Sequence, residues 1–134
     1  MRFVKTDPPS FPDAAADTPL APVPGDRWQV MCGDGGHWRV GIYSPPEACL
    51  ADVRELERHD CPELFLLTAG RVTMVLSDGR GGVREVPLAP GQPILVQAPH
   101  AVYCPDGPHT GTCFVVERDA FTTEYRAPAD WNGD

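Results

Sequence analysis

The chain is short of lysine, of asparagine and of any segment with helical periodicity. Lys5 is the only lysine against ten arginines, and Asn132 is the only asparagine, a bias that fits a GC-rich bacterial genome. No run of basic residues exceeds two, and the net charge is -8. A surface of that sign repels phosphate backbones, which argues against nucleic-acid binding. No apolar stretch approaches the length of a membrane span, so no membrane partner is expected. No charged leader precedes a long apolar run near Met1, so no signal peptide is expected. Five cysteines, Cys32, Cys49, Cys61, Cys104 and Cys113, include no CxxC pair and form no even framework. Reduced thiols in a cytoplasmic protein are the resulting expectation. A Cys104–Cys113 disulfide across residues 105–111 is conceivable, but that compartment argues against it. No serine sits in a nucleophile elbow and no glycine-rich run precedes a helix, which disfavours a Ser/His/Asp hydrolase and a phosphate loop.

What is present is a chain of 134 residues with 42% hydrophobic and 22% charged content, enough for one domain with a real core. Its 16 prolines and 13 glycines favour many short elements joined by turns. Residues 1–26 hold six prolines and read as a leader or as an extended arm that could bury Phe3, Val4 and Phe11. From Trp28 the pattern becomes that of strands. Residues 28–31 form one, and residues 37–43 another, with Trp38, Val40 and Ile42 on one face and Arg39, Gly41 and Tyr43 on the other. Residues 50–59 read as a further strand, 64–67 as a fully buried one, and 71–77 and 83–88 as a hairpin around Asp78-Gly79. Residues 94–97, 101–104 and 112–117 complete the series. Residues 119–125 read as a lid or edge strand, and 127–134 as a loose tail after a domain spanning 27–126. Eight or nine short strands mean an all-β sandwich or barrel.

The chemistry concentrates in two places. His59 precedes Glu63 by four residues, and Gly70 follows Glu63 by seven. His100 arrives behind Pro90-Gly91 and the strand-like Ile94-Leu95-Val96. Two imidazoles and a carboxylate on separate strands can form a three-ligand, open-sided metal site suited to Fe(II), Zn, Mn or Ni. The alternative is a pair of barrel-lining histidines with ordinary hydrogen-bond partners. Glu57 shares the His59 face of a strand. It reads as a fourth ligand, as a catalytic general base, or as a rim glutamate paired with Arg54 or Arg58. Cys61 reads as a thiolate ligand or as a buried cysteine, and Cys104 as a pocket or core residue. His37 and His109, beside glycine or proline in turns, read as surface histidines. Tyr43, Phe65 and Tyr103, with Trp38 and Arg39, are candidate walls of a substrate pocket.

These residues resemble the cupin superfamily. Its first motif runs glycine, five residues, His-x-His, three or four residues, Glu, six residues, Gly. His59, Glu63 and Gly70 match it, Glu57 stands at the first histidine and Ala51 at the opening glycine. In the second motif His100 follows Gly91 two residues early, and Cys104 takes the asparagine position. The likeness covers residues 36–118. It implies an antiparallel double-stranded β-helix, or jelly roll, with one divalent transition metal, Fe(II) or Zn first and Mn or Ni next, held by residues of both motifs. It implies a small-molecule substrate, with oxygenase chemistry slightly ahead of isomerase or lyase chemistry, or else a sensor that binds without turnover. A homodimer is expected because edge strands need cover, and the arm could cross to a partner.

Overall fold

The computed structural model describes residues 1–133. Eleven strands follow one another: β1 (Arg2–Thr6), β2 (Trp28–Asp34), β3 (Trp38–Tyr43), β4 (Leu56–His59), β5 (Glu63–Ala69), β6 (Thr73–Ser77), β7 (Val83–Pro87), β8 (Ile94–Val96), β9 (His100–Tyr103), β10 (Thr112–Arg118) and β11 (Phe121–Arg126). They pair antiparallel in two sheets, β1-β11-β4-β9-β6-β7 and β2-β3-β10-β5-β8. Single 3-10 turns at Leu50–Asp52 and Pro128–Asp130 are the only helical segments among the described residues. None of these is long and apolar enough to cross a membrane. The architecture is the antiparallel jelly roll expected of the sequence.

Alternation along β5 and β10 explains where the site lies. In β5, Glu63, Phe65 and Leu67 are buried, while Leu64 and Leu66 face outward. In β10, Cys113, Val115 and Glu117 take the inward positions. The two strands are neighbours, with Phe65 opposite Val115 and Leu67 opposite Cys113. One end of the interior is therefore apolar, joined by Val72, Met74, Leu76 and Val102. Each large side chain buried there contributes roughly 1.5–3 kcal/mol. At the other end the same inward register delivers Glu63 and Glu117. The 64–67 run is thus half-buried rather than fully buried, because alternation turns Phe65 and Leu67 inward and Leu64 and Leu66 outward.

Three other segments differ from expectation. The strand expected over 50–59 begins only at Leu56, since Leu50–Asp52 closes a 3-10 turn with Asp52 accepting the Ala48 N–H at 3.0 Å. The tail is packed: Trp131 is buried against Leu56 and Val75, and Asn132 bridges to Arg80. Segment 119–125 is no edge, because β1 pairs with β11 outside it from Arg2–Tyr125 to Thr6–Phe121. The proline-rich arm is fastened by Asp119, whose buried carboxylate accepts the Ser10 N–H at 2.6 Å and the Gly36 N–H at 2.8 Å. These donors hold the Asp119 carboxyl below its usual range against the opposing effect of burial.

Two glycines are set by geometry. Gly70 has φ +63°, and a Cβ there would lie 2.0 Å from the Thr110 carbonyl oxygen, so this turn after β5 excludes side chains. Gly41 faces inward, where a Cβ would fall 2.0 Å from the Trp28 ring. Its missing side chain is the space that the indole occupies.

Candidate metal centre

The site joins the two sheets. Glu57 and His59 lie two apart on β4 and share its inward face, His100 opens β9 directly opposite Glu57, and Glu63 opens β5 on the other sheet. The short Asp60–Pro62 turn carries the chain between sheets, fixed by the Asp60 N–H to Thr122 O at 3.1 Å. Four donor atoms, one each from Glu57, His59, Glu63 and His100, lie within 4.8 Å of one another.

The hydrogen bonds around the two imidazoles aim them. His100 Nδ1 donates to Ala98 O at 2.9 Å, which leaves the lone pair on Nε2. His59 Nδ1 sits 2.8 Å from Thr123 Oγ1, its cross-strand neighbour on β11, so its Nε2 also faces the cluster. From His59 Nε2 the carboxylates of Glu63 and Glu57 lie at 3.4 and 3.7 Å. His100 Nε2 is 3.7 Å from Glu57 and in direct contact with Glu63 Oε1. That last pair of atoms is fully buried, and neither has a hydrogen-bond partner beyond their mutual contact. A metal ligated by imidazole nitrogen and carboxylate oxygen at about 2.0–2.2 Å holds its donors roughly 3–3.5 Å apart, close to the distances from His59 Nε2 to Glu63 and Glu57. The donor set and the two orphaned atoms fit a divalent cation.

Charges in the cluster are strongly linked. Burial by itself would lower His100, but the Glu63 carboxylate overrides it and lifts the imidazole to about 9. His59 is raised in the same way, Glu63 outweighing burial. Glu63 is held well below the usual carboxylate range by both imidazoles, despite its burial.

A fifth ionisable group, Glu117, was not among the residues singled out from the sequence. Its Oε1 accepts Arg39 Nε at 2.9 Å and Nη2 at 2.8 Å, while Oε2 lies 3.9 Å from His59 Nε2. Burial and the neighbouring Glu63 push its carboxyl up to about 8 even so. Its signal was present in the period-2 pattern Cys113, Val115, Glu117, where a charge continues an inward apolar row.

A cavity of about 480 Å³ opens over the cluster. Phe65, Tyr43 and Arg39 line it as expected candidates, together with Trp28, Phe121 and Tyr125. The Phe121 ring lies 4.7 Å from that of His59, and Phe65 lies 5.7 Å from His100. Tyr125 hydrogen-bonds Glu57, and burial with that carboxylate pushes its phenol up to about 12. Arg2 of β1 stacks 3.9 Å above the Tyr125 ring and pairs with Glu55 at 2.9 Å, so the N-terminal strand is a wall of the cavity.

Other candidates lie elsewhere. Tyr103 is an odd number of residues from His100, which turns it to the opposite face of β9, where its hydroxyl meets Glu85. Trp38 is exposed on the outward face of β3. Cys61 is buried but lies outside the four-residue cluster. Cys104 and Cys113 belong to the apolar core, and all five cysteines are free. His37 is exposed, and His109 Nδ1 pairs with Ser44 O at 2.7 Å, away from the cavity.

No family model and no curated protein matches the chain. Among solved structures it is similar to FeII HppE, with 17% identity over 81% of this chain and 65% of that one and a TM-score of 0.56. It is similar also to CoII HppE in complex with substrate, at 17% identity over 79% and 63%, TM-score 0.55. Hydroxypropylphosphonic acid epoxidase from S. wedmorenis in complex with fosfomycin follows at 16% over 79% and 57%, TM-score 0.54. The chain thus spans a little under two thirds of the length of these structures. These likenesses show a shared fold, a cupin-like antiparallel β-sandwich.

Proposed function

We propose that the protein is a metal-dependent enzyme of small-molecule metabolism whose divalent ion is held by His59, Glu63, His100 and Glu57. The observation that carries this reading is the buried contact of His100 Nε2 with Glu63 Oε1, neither bonded to any other group, while His59 and Glu57 face the same point. Fe(II) or Zn suits these donors first, and Mn or Ni next. When bound, the metal supplies a Lewis acid or, as iron, oxygen chemistry at positions the protein leaves open. The likeness to FeII HppE and to a hydroxypropylphosphonic acid epoxidase supports oxygenase chemistry over isomerase or lyase chemistry.

The chain's own groups have separable tasks. Glu57, the most exposed of the four, can accept a proton from substrate at a carboxylate oxygen, with the Tyr125 hydroxyl holding its position. Phe65, Phe121 and Trp28 keep water from the cavity walls, and Arg39 fixes Glu117 beside His59. A second reading, small-molecule binding without turnover, draws on Glu57 standing where the resembled motif has histidine. Elemental analysis and anomalous scattering separate the two: a metal between His59 and His100 supports the enzyme, and a metal-free protein holding an ordered organic ligand supports the binder.

Metal binding has a signed pH dependence. Protons must leave His59 and His100, both raised, before their Nε2 lone pairs are available. Apparent affinity should therefore climb between pH 6 and about 9, by up to roughly tenfold per unit for each proton displaced. Competition titration against a chelator reads this directly, and a flat profile over that range would rule out imidazole ligation. The metal-free protein should behave in the opposite sense. A raised imidazole stabilises it fully below the unfolded histidine value, and that contribution disappears as pH rises through about 9.

A cytoplasmic homodimer without nucleic-acid or membrane partners completes the proposal. Strand β1 is an edge paired on one side only, so its free side can add to a second copy. Sedimentation equilibrium should give twice the 14.6 kDa chain mass; a 14.6 kDa species at high micromolar concentration would refute it.

A further inference from the structure

Among the buried polar atoms without a hydrogen bond, one lines the cavity but lies outside the metal cluster. Glu47 follows Pro45-Pro46 in the β3–β4 connection, on main chain pinned by Cys104 N–H to Glu47 O at 2.8 Å and by His109 N–H to Pro45 O at 2.9 Å. Its side chain reaches the cavity, and Oε1 accepts Arg27 Nη1 at 2.9 Å. The same Nη1 lies 3.3 Å from the Tyr43 hydroxyl. The other oxygen, Oε2, is buried and has no partner. A carboxylate oxygen in that state is costly, and the structure keeps it beside the space a ligand would fill.

Charge balance says what the ligand offers. Three guanidiniums at the cavity are each paired with a carboxylate: Arg2 with Glu55, Arg27 with Glu47, Arg39 with Glu117. A divalent metal would be balanced by Glu57 and Glu63. Glu47 Oε2 still lacks a donor, and an ionised acceptor is best met by a cationic one. Tyr43 lines the same cavity as Glu47 and the metal cluster, with its hydroxyl 3.3 Å from the Arg27 Nη1 that holds Glu47. One cavity of about 480 Å³ holds both Glu47 and the metal cluster, a volume that suits a small molecule.

We propose that the substrate is a short zwitterion, with an oxygen head that chelates the metal and a protonated amine that donates to Glu47. This rests on the metal-dependent reading above. Co(II)-loaded protein provides the test, because its visible spectrum reports a chelating head directly. Straight-chain alkyl hydroxamates of two to five carbons would be titrated beside the same compounds carrying a terminal amine. At one chain length the amine should tighten binding about tenfold or more, the scale of one charge-assisted hydrogen bond. Glu47→Gln should still take up Co(II) and bind the plain hydroxamate, but lose the preference for the amine. Glu55→Gln removes an equal charge from the mouth and should keep it. Equal binding of the two series at every length, or a preference that survives Glu47→Gln, overturns this proposal while leaving the metal reading intact. Failure of the wild type to take up Co(II) overturns both.

Discussion

His100→Ala is expected to yield a protein with little or no bound metal, its affinity reduced by more than about 100-fold. Loss of a residue that merely supports a ligand costs 10–100-fold, and loss of the ligand itself exceeds that. His100 is buried, and its Nε2 has no task other than the cluster. The substitution also leaves Glu63 buried with only His59 as counter-charge. His109→Ala provides the contrast, because His109 faces Ser44 O and lines no part of the cavity. Its metal content should match the wild type. Glu57→Gln should fall between them, since Glu57 is the most solvent-exposed of the four groups. Equal metal in wild type and His100→Ala by elemental analysis would overturn the site, and the binding module without metal would take its place.

Much of this site was legible because the relevant information is local. A His59–Glu63 offset across a three-residue turn, closed by a glycine that geometry requires at position 70, survives without reference to the rest of the chain. The strand run from Trp28 to Glu117 was legible for the same reason: alternation and turn residues are nearest-neighbour properties. What was not legible depends on pairing between distant strands. Glu117 reaches the cluster only because β10 lies between β3 and β5, which brings Arg39 opposite it in register. Tyr125 and the Arg2 wall depend on β1 joining β11, a contact between the two ends of the chain.

Some misses were avoidable. Counting by two from His100 turns Tyr103 outward, and counting by two from Glu63 exposes Leu64 and Leu66. Trp131, in a tail otherwise polar and small, was a reason to expect burial. It fills a space against Leu56 and Val75 on the outer side of the six-stranded sheet, with Arg58 and Arg126 stacked 4.9 and 4.6 Å from its ring.

Arg39→Met should be among the most destabilising substitutions outside the apolar core. The Arg39–Glu117 pair is buried on both sides, and Arg39 Nη1 also donates to Ser10 O at 3.0 Å, tying the arm to the barrel. Breaking a buried pair by removing one partner costs roughly 3–5 kcal/mol. For a chain of this size that corresponds to a melting temperature lower by roughly 10–20 °C. The loss should depend on pH in metal-free protein. Glu117 is raised to about 8, so its carboxyl is neutral in the folded state at pH 5 and the missing guanidinium matters least there. A folded value above the unfolded one means that stability falls as pH rises from the usual carboxylate range through about 8, and the variant should fall further than the wild type over that interval. Adding Glu117→Gln should recover most of the loss at pH 8.5, because an amide leaves no stranded charge beside Glu63. Paired thermal melts at pH 5 and 8.5 decide the matter. An equal loss at both values, unrelieved by Glu117→Gln, would show that Arg39 acts through packing against Phe121 and its bond to Ser10 rather than through charge.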